Sequence, residues 1–142
     1  MRAGTENLYG IIGFAKALQM ATENYEKDSA YIKGLKLYMI EKLKKNIKGV
    51  AFNGDSLGTS LYAVLSASFP KTEKSEMILF NLDINHICAS GGSACTSGAD
   101  QGSHVIRAIN NNPNQVTVRF SFSKHNNREE IDTVVEKLKE LI

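Results

Sequence analysis

Val116-Thr117-Val118-Arg119-Phe120-Ser121-Phe122 is a run of period two near the C-terminus. Val116, Val118, Phe120 and Phe122 share one face, and Thr117, Arg119, Ser121 and Ser123 share the other. Such alternation makes a strand with one side against a core and one side wet. Just beyond it, Asn127 and Glu130 have capping-box spacing, which opens a helix. Ile131, Val134, Val135, Leu138 and Leu141 follow as the apolar stripe of that helix.

The same patterns recur upstream. Tyr62 to Phe69 alternates, with Ala63, Leu65, Ala67 and Phe69 on one face, and Pro70 ends it. A helix is expected from about Glu6, on Leu8, Ile11, Ile12, Ala15 and Leu18, with Thr5 as N-cap. A second is expected from about Glu26 to Ile47, on Ile32, Leu35, Met39, Leu43 and Ile47, closed by Gly49. Thr72 to about Leu82 reads as a helix, His86 to Ala89 as a short strand and Ser103 to Ile109 as a short helix. Asn110 to Asn114, with Pro113, reads as a turn. Short strands with helices before, between and after them predict an α/β fold: a two-layer sandwich of a short, mainly antiparallel sheet covered by helices.

The chain has 142 residues, enough for one domain with a real core. Its 42% hydrophobic and 23% charged residues are ordinary for a globular protein. A net charge of +2 argues for neither nucleic acid nor a membrane surface as partner. Lys42, Lys44, Lys45 and Lys48 read as a solvated face near a helix C-terminus. No apolar run is long enough to span a bilayer, and the N-terminus lacks signal-peptide order. With two cysteines and no export signal, both are expected as reduced thiols in the cytoplasm.

The chemistry concentrates in Ser90-Gly91-Gly92-Ser93-Ala94-Cys95-Thr96-Ser97-Gly98-Ala99-Asp100. Glycines there oppose a regular helix or strand, and no bulky neighbour covers Cys95. A cysteine among small polar residues reads either as a thiol placed to react or as an incidental one on a glycine-rich connection, whereas a packing cysteine sits among apolar residues. Cys88, between Ile87 and Ala89, reads as the packed kind. A phosphate loop is excluded, since no lysine follows the glycines. A metal site from His86, Cys88, Cys95 and His104 fits no common zinc spacing, so no metal is expected. Arg119, taken alone, is an exposed arginine on a wet sheet face that could bind a carboxylate through two parallel hydrogen bonds.

Ile87 to Gly98 resembles the active-site segment of cysteine desulfurases, pyridoxal-phosphate enzymes that take sulfur from L-cysteine. Arg2-Ala3-Gly4-Thr5-Glu6-Asn7 is similar to their Arg-x-Gly-Thr-x-Asn segment. Ser103-His104-Val105-Ile106, Val118-Arg119-Phe120-Ser121 and Glu129-Glu130-Ile131-Asp132 follow in family order. The resemblance implies a single domain over 1–142, with a connecting helix over 1–24 and a sandwich over 25–142. That domain corresponds to the C-terminal small domain of fold-type I pyridoxal-phosphate enzymes. It further implies that Cys95 accepts the sulfur as a persulfide, that Arg119 binds the substrate carboxylate, and that Thr5 reaches the cofactor phosphate of the other subunit in a homodimer.

The expected partners are L-cysteine, a sulfur-acceptor or scaffold protein of iron–sulfur or other sulfur-transfer pathways, and the large domain of the same enzyme. That large domain would carry the Schiff-base lysine, which follows a Ser-x-His motif that this sequence lacks; Ser123-Lys124-His125 has the wrong order. The cofactor, pyridoxal 5′-phosphate, is therefore expected in the complete enzyme and not on this segment alone, which is expected to be inactive. Gly92 and Asp100-Gln101-Gly102 depart from the usual loop pattern. The alternative is a stand-alone sulfur-relay or binding module that uses Cys95 without cofactor chemistry.

Overall fold

The structure is a computed structural model and describes residues 4–91, 103–109 and 112–142. Helix α1, Leu8–Asn46, is followed by strands β1, Ala51–Phe52, and β2, Val64–Pro70. A 3₁₀ turn at Lys74–Met77 leads into α2, Ile78–Ile84. Then come α3, His104–Ile109; β3, Gln115–Ser121; and α4, Arg128–Leu141. The sheet order is β1-β2-β3, with both pairings antiparallel. The architecture is the expected α/β one, an antiparallel sheet with helices.

The β2–β3 register pairs Leu65 with Phe120 and Ala67 with Val118, so their apolar faces coincide. Those four residues and Phe69 are buried with Ile32, Leu35, Met39, Leu43 and Ile47 of the α1 region and with Ile131, Val135 and Leu138 of α4. The α4 cap forms as the spacing requires. The Asn127 side chain accepts from the Glu130 N–H, and the Glu130 carboxylate accepts from the Asn127 N–H.

Several expectations need correction. The two helices anticipated around residue 25 are one continuous helix of 39 residues, about 58 Å long at 1.5 Å per residue. No proline or glycine lies between Lys16 and Lys33, so nothing in the backbone interrupts it. Its N-cap is Asn7, whose side chain accepts from the Gly10 N–H; Thr5 lies upstream of the helix, exposed. Gly49 adopts a φ of 81°, which suits the glycine expected after the helix end. His86 to Ala89 is not a strand. The next residue, Ser90, pairs with the sheet in an isolated bridge to Arg119. The third strand is instead Ala51–Phe52, too short to show periodicity in the sequence. Thr72 exchanges hydrogen bonds with Ser75, which supports the 3₁₀ turn that precedes α2.

α1 has two unlike halves. From Ile32 onward its apolar stripe is buried. Before that, Leu8, Tyr9, Ile11, Ile12, Phe14 and Leu18 are exposed, Tyr9 by 92%.

Two side-chain clusters hold the layers together. Tyr38 donates to the Asp132 carboxylate at 3.0 Å, and Lys42 pairs with the same group at 2.7 Å. Lys42 and Arg128 lie 5.0 and 4.9 Å from the Tyr38 ring centroid. Lys42 is thus a tie between α1 and α4 rather than part of a merely solvated face. Its bond to Asp132 raises the Lys42 pKa and lowers that of Asp132. The second cluster is Lys36, only 3% exposed, which donates to Ser60 Oγ at 2.9 Å and to the Leu61 carbonyl at 3.0 Å. Burial lowers the Lys36 pKa, opposed by the charge of Asp55.

Candidate active site on the outer sheet face

The outer face of the sheet carries small polar side chains. Ser66 is paired with Arg119, and Ser68 with Thr117. Ser68 Oγ and Thr117 Oγ1 are 2.9 Å apart, and Asn53 donates to Ser66 Oγ and Ser68 Oγ at 3.1 and 2.8 Å. This web satisfies the buried Ser68 hydroxyl without a charge.

Arg119 projects from the middle of β3 and is exposed. Its Nε–H donates to Ser90 Oγ at 3.1 Å. The backbones of the two residues exchange both bonds: Arg119 N–H to the Ser90 carbonyl at 2.6 Å, and Ser90 N–H to the Arg119 carbonyl at 3.1 Å. No carboxylate among the described residues pairs with Arg119. A guanidinium with Nε engaged still presents its two terminal nitrogens side by side, a geometry that matches a carboxylate. Alternation placed Arg119 on this face from sequence. Ser90 escaped that reading because its partner lies 29 residues away.

Beside this pair runs a groove of about 850 Å³, lined by Ser75, Leu79, Gly91, Arg107 and Thr117 among others. Gly91 is pressed against the sheet: a Cβ there would stand 2.5 Å from Leu79 Cδ1 and 3.4 Å from the Thr117 carbonyl. Cys95 lies outside the described residues. Cys88 is exposed, outside any strand, so the packed role expected for it does not hold. It ends up at the surface because α2 finishes at Ile84 and the chain turns at Asn85 and His86, the latter at φ 58°.

Thr5, expected at the cofactor phosphate, is exposed and is not among the described residues that line the grooves beside α1, the sheet or α4. Among the described residues no three His, Cys, Asp or Glu side chains gather as a metal site, and no helix is long and apolar enough to cross a membrane.

Comparison with known proteins agrees with this architecture. The family described as "Aminotransferase class-V" matches residues 1–134. The cysteine desulfurase IscS of Pseudoalteromonas translucida is 32% identical over all of this chain and 35% of its own length. That of Dictyoglomus turgidum is 34% identical over 99% of this chain and 36% of its own length. The mitochondrial cysteine desulfurase of Arabidopsis thaliana is 30% identical over 96% of the chain and 30% of its own length. The X-ray structure of a NifS-like protein from Rickettsia africae superposes with a TM-score of 0.75 at 27% identity, covering 99% of this chain and 36% of that one. The chain spans about a third of the length of these relatives. The matched family and the shared fold together make the chain a member of the aminotransferase class-V family, among relatives that are cysteine desulfurases.

Proposed function

We propose that this chain is the small-domain portion of a cysteine desulfurase, in which Arg119 holds the carboxylate of L-cysteine and Cys95 takes the sulfur. The observation that carries the reading is the state of Arg119. It is exposed in mid-strand, has no carboxylate partner among the described residues, and lies in register with the small hydroxyl residue Ser66 with its Nε bonded to Ser90 Oγ.

The transfer balances as follows. The Cys95 thiolate forms a bond to the substrate sulfur, and the substrate's carbon–sulfur bond breaks. The carbon keeps the electron pair and takes a proton to give L-alanine, while Cys95 is left as a persulfide. Pyridoxal 5′-phosphate, the electron sink for that cleavage, is held by parts of the complete protein outside this chain, with Thr5 contributing to its phosphate from across a homodimer. A sulfur-acceptor or scaffold protein then discharges the persulfide, for iron–sulfur cluster assembly or another sulfur pathway.

The exposed apolar half of α1 favours this reading over a stand-alone relay module. Six large apolar side chains between Leu8 and Leu18 are uncovered, a stripe that suits docking on a large domain of the same enzyme.

The test is sulfide release against cysteine concentration in the complete protein. Cys95→Ser should abolish persulfide formation because a hydroxyl has too high a pKa to serve as the nucleophile. Arg119→Ala should raise KM about ten- to a hundredfold through loss of charge-assisted hydrogen bonds. Wild-type turnover by Cys95→Ser would overturn the nucleophile, and an unchanged cysteine dependence in Arg119→Ala would overturn the carboxylate role.

A further inference from the structure

We infer that Ser90 is a positioning residue for Arg119 that fixes which edge of the guanidinium meets the substrate carboxylate; this rests on the reading of Arg119 as the carboxylate-binding group. An arginine can offer a carboxylate either of two paired edges: Nε with one terminal nitrogen, or both terminal nitrogens end-on. Here the first edge is spoken for. Ser90 Oγ accepts from Arg119 Nε at 3.1 Å, and two backbone bonds lock the same two residues together. The end-on fork remains.

Ser90 is itself held in place. Its backbone pairs with β3, and Gly91 next to it packs against Leu79, where a Cβ would stand 2.5 Å from Leu79 Cδ1. Across the sheet, the residue in register with Arg119 is Ser66, which has a small side chain. An arginine side chain has several rotatable bonds, and ordering them on binding weakens affinity. Ser90 removes part of that cost beforehand by anchoring the side chain at Nε.

The inference separates a positioning role from a structural one. A residue acting through Arg119 has no effect once Arg119 is gone, whereas a purely structural residue acts independently and additively. The experiment is a double-mutant cycle in the complete protein with Ser90→Ala, Arg119→Ala and the pair, measuring KM and kcat for sulfide release. Binding of L-alanine by calorimetry supplies a readout independent of turnover. Ser90→Ala should raise KM about three- to tenfold, from loss of one hydrogen bond to a charged group. It should weaken L-alanine binding to the same degree and add nothing in the Arg119→Ala background. Ser90→Thr, which keeps the hydroxyl, should restore KM.

An effect of Ser90→Ala that persists in full in the Arg119→Ala background would overturn the inference. So would an unchanged KM in Ser90→Ala while Arg119→Ala raises it. An unchanged KM in Arg119→Ala would instead remove the carboxylate reading itself. If Ser90→Ala proves unfolded in a thermal melt, the Ser90→Thr and Ser90→Cys pair makes the same comparison at similar side-chain size. Full activity without the hydroxyl in Ser90→Cys would then count against the inference.

Discussion

Truncation of Leu43 and of Leu18 to alanine, both on α1, should have very different effects on the stability of this chain. Leu43 is 0% exposed, inside the layer between the sheet and α4; Leu18 is 57% exposed on the uncovered half. Leu43→Ala removes about three methylene-sized groups from a dry core, worth about 2.4 kcal/mol of transfer free energy. A partly collapsed cavity adds about 1–1.5 kcal/mol at about 24 cal/mol per Å³. The total, about 3–4 kcal/mol, lowers Tm by about 10–15 °C for a domain of this size. Leu18→Ala gives up little burial and gains slightly in helix propensity, so its effect stays within about 0.5 kcal/mol. Urea unfolding followed by far-ultraviolet circular dichroism measures both. A cost for Leu18→Ala equal to that of Leu43→Ala would refute the two-halved helix, because it would mean that the N-terminal stripe is already buried. A cost for Leu43→Ala under about 1 kcal/mol would refute the assigned core.

Three further outcomes follow from other parts of the structure. Asn127→Ala removes one side of the α4 capping box and should cost about 1 kcal/mol in the same urea assay; Asn127→Asp should retain most of the cap. The folded-state pKa of Asp132 is depressed by the hydrogen bond from Lys42, so its stabilisation is present above the unfolded value of 3.8 and is lost as pH falls through the lower folded value. Lys42 is shifted upward from 10.5, so its share is present below 10.5 and is lost above it. Asp132→Asn should therefore flatten the acid limb of stability against pH, while a limb equal to wild type would exclude the pair as its source. Cys88 should alkylate in the folded chain at a rate close to that of an exposed thiol, as peptide mass mapping would show; labelling only after unfolding would contradict its exposure.

Much of this protein is local and therefore legible in the residue order. Period two in Val116–Phe122 and in Tyr62–Phe69 located two strands and assigned their faces, and the register pairs those same faces. Asn127 with Glu130 located the start of α4, because a capping box needs only residues three apart. Alternation also put Arg119 on the exposed face of the sheet. Thr5 illustrates the limit: a threonine two residues before Asn7 can also cap a helix, and the backbone path chose Asn7.

The tertiary structure decided what depends on distant partners. Whether α1 broke near residue 25 could not be read from two apolar stripes, since the helix continues wherever no proline or glycine stops it. The burial of Lys36 depends on Ser60 and Leu61, more than twenty residues away, and so does the difference between it and Lys44 or Lys45, which share its composition and remain exposed. Cys88 became a surface thiol because the chain turns after α2, although its immediate neighbours are apolar. The Ser90–Arg119 clasp joins residues 29 apart through one side-chain and two backbone bonds. Sequence determines which groups can hydrogen-bond; chain topology alone brings a given donor to a given acceptor.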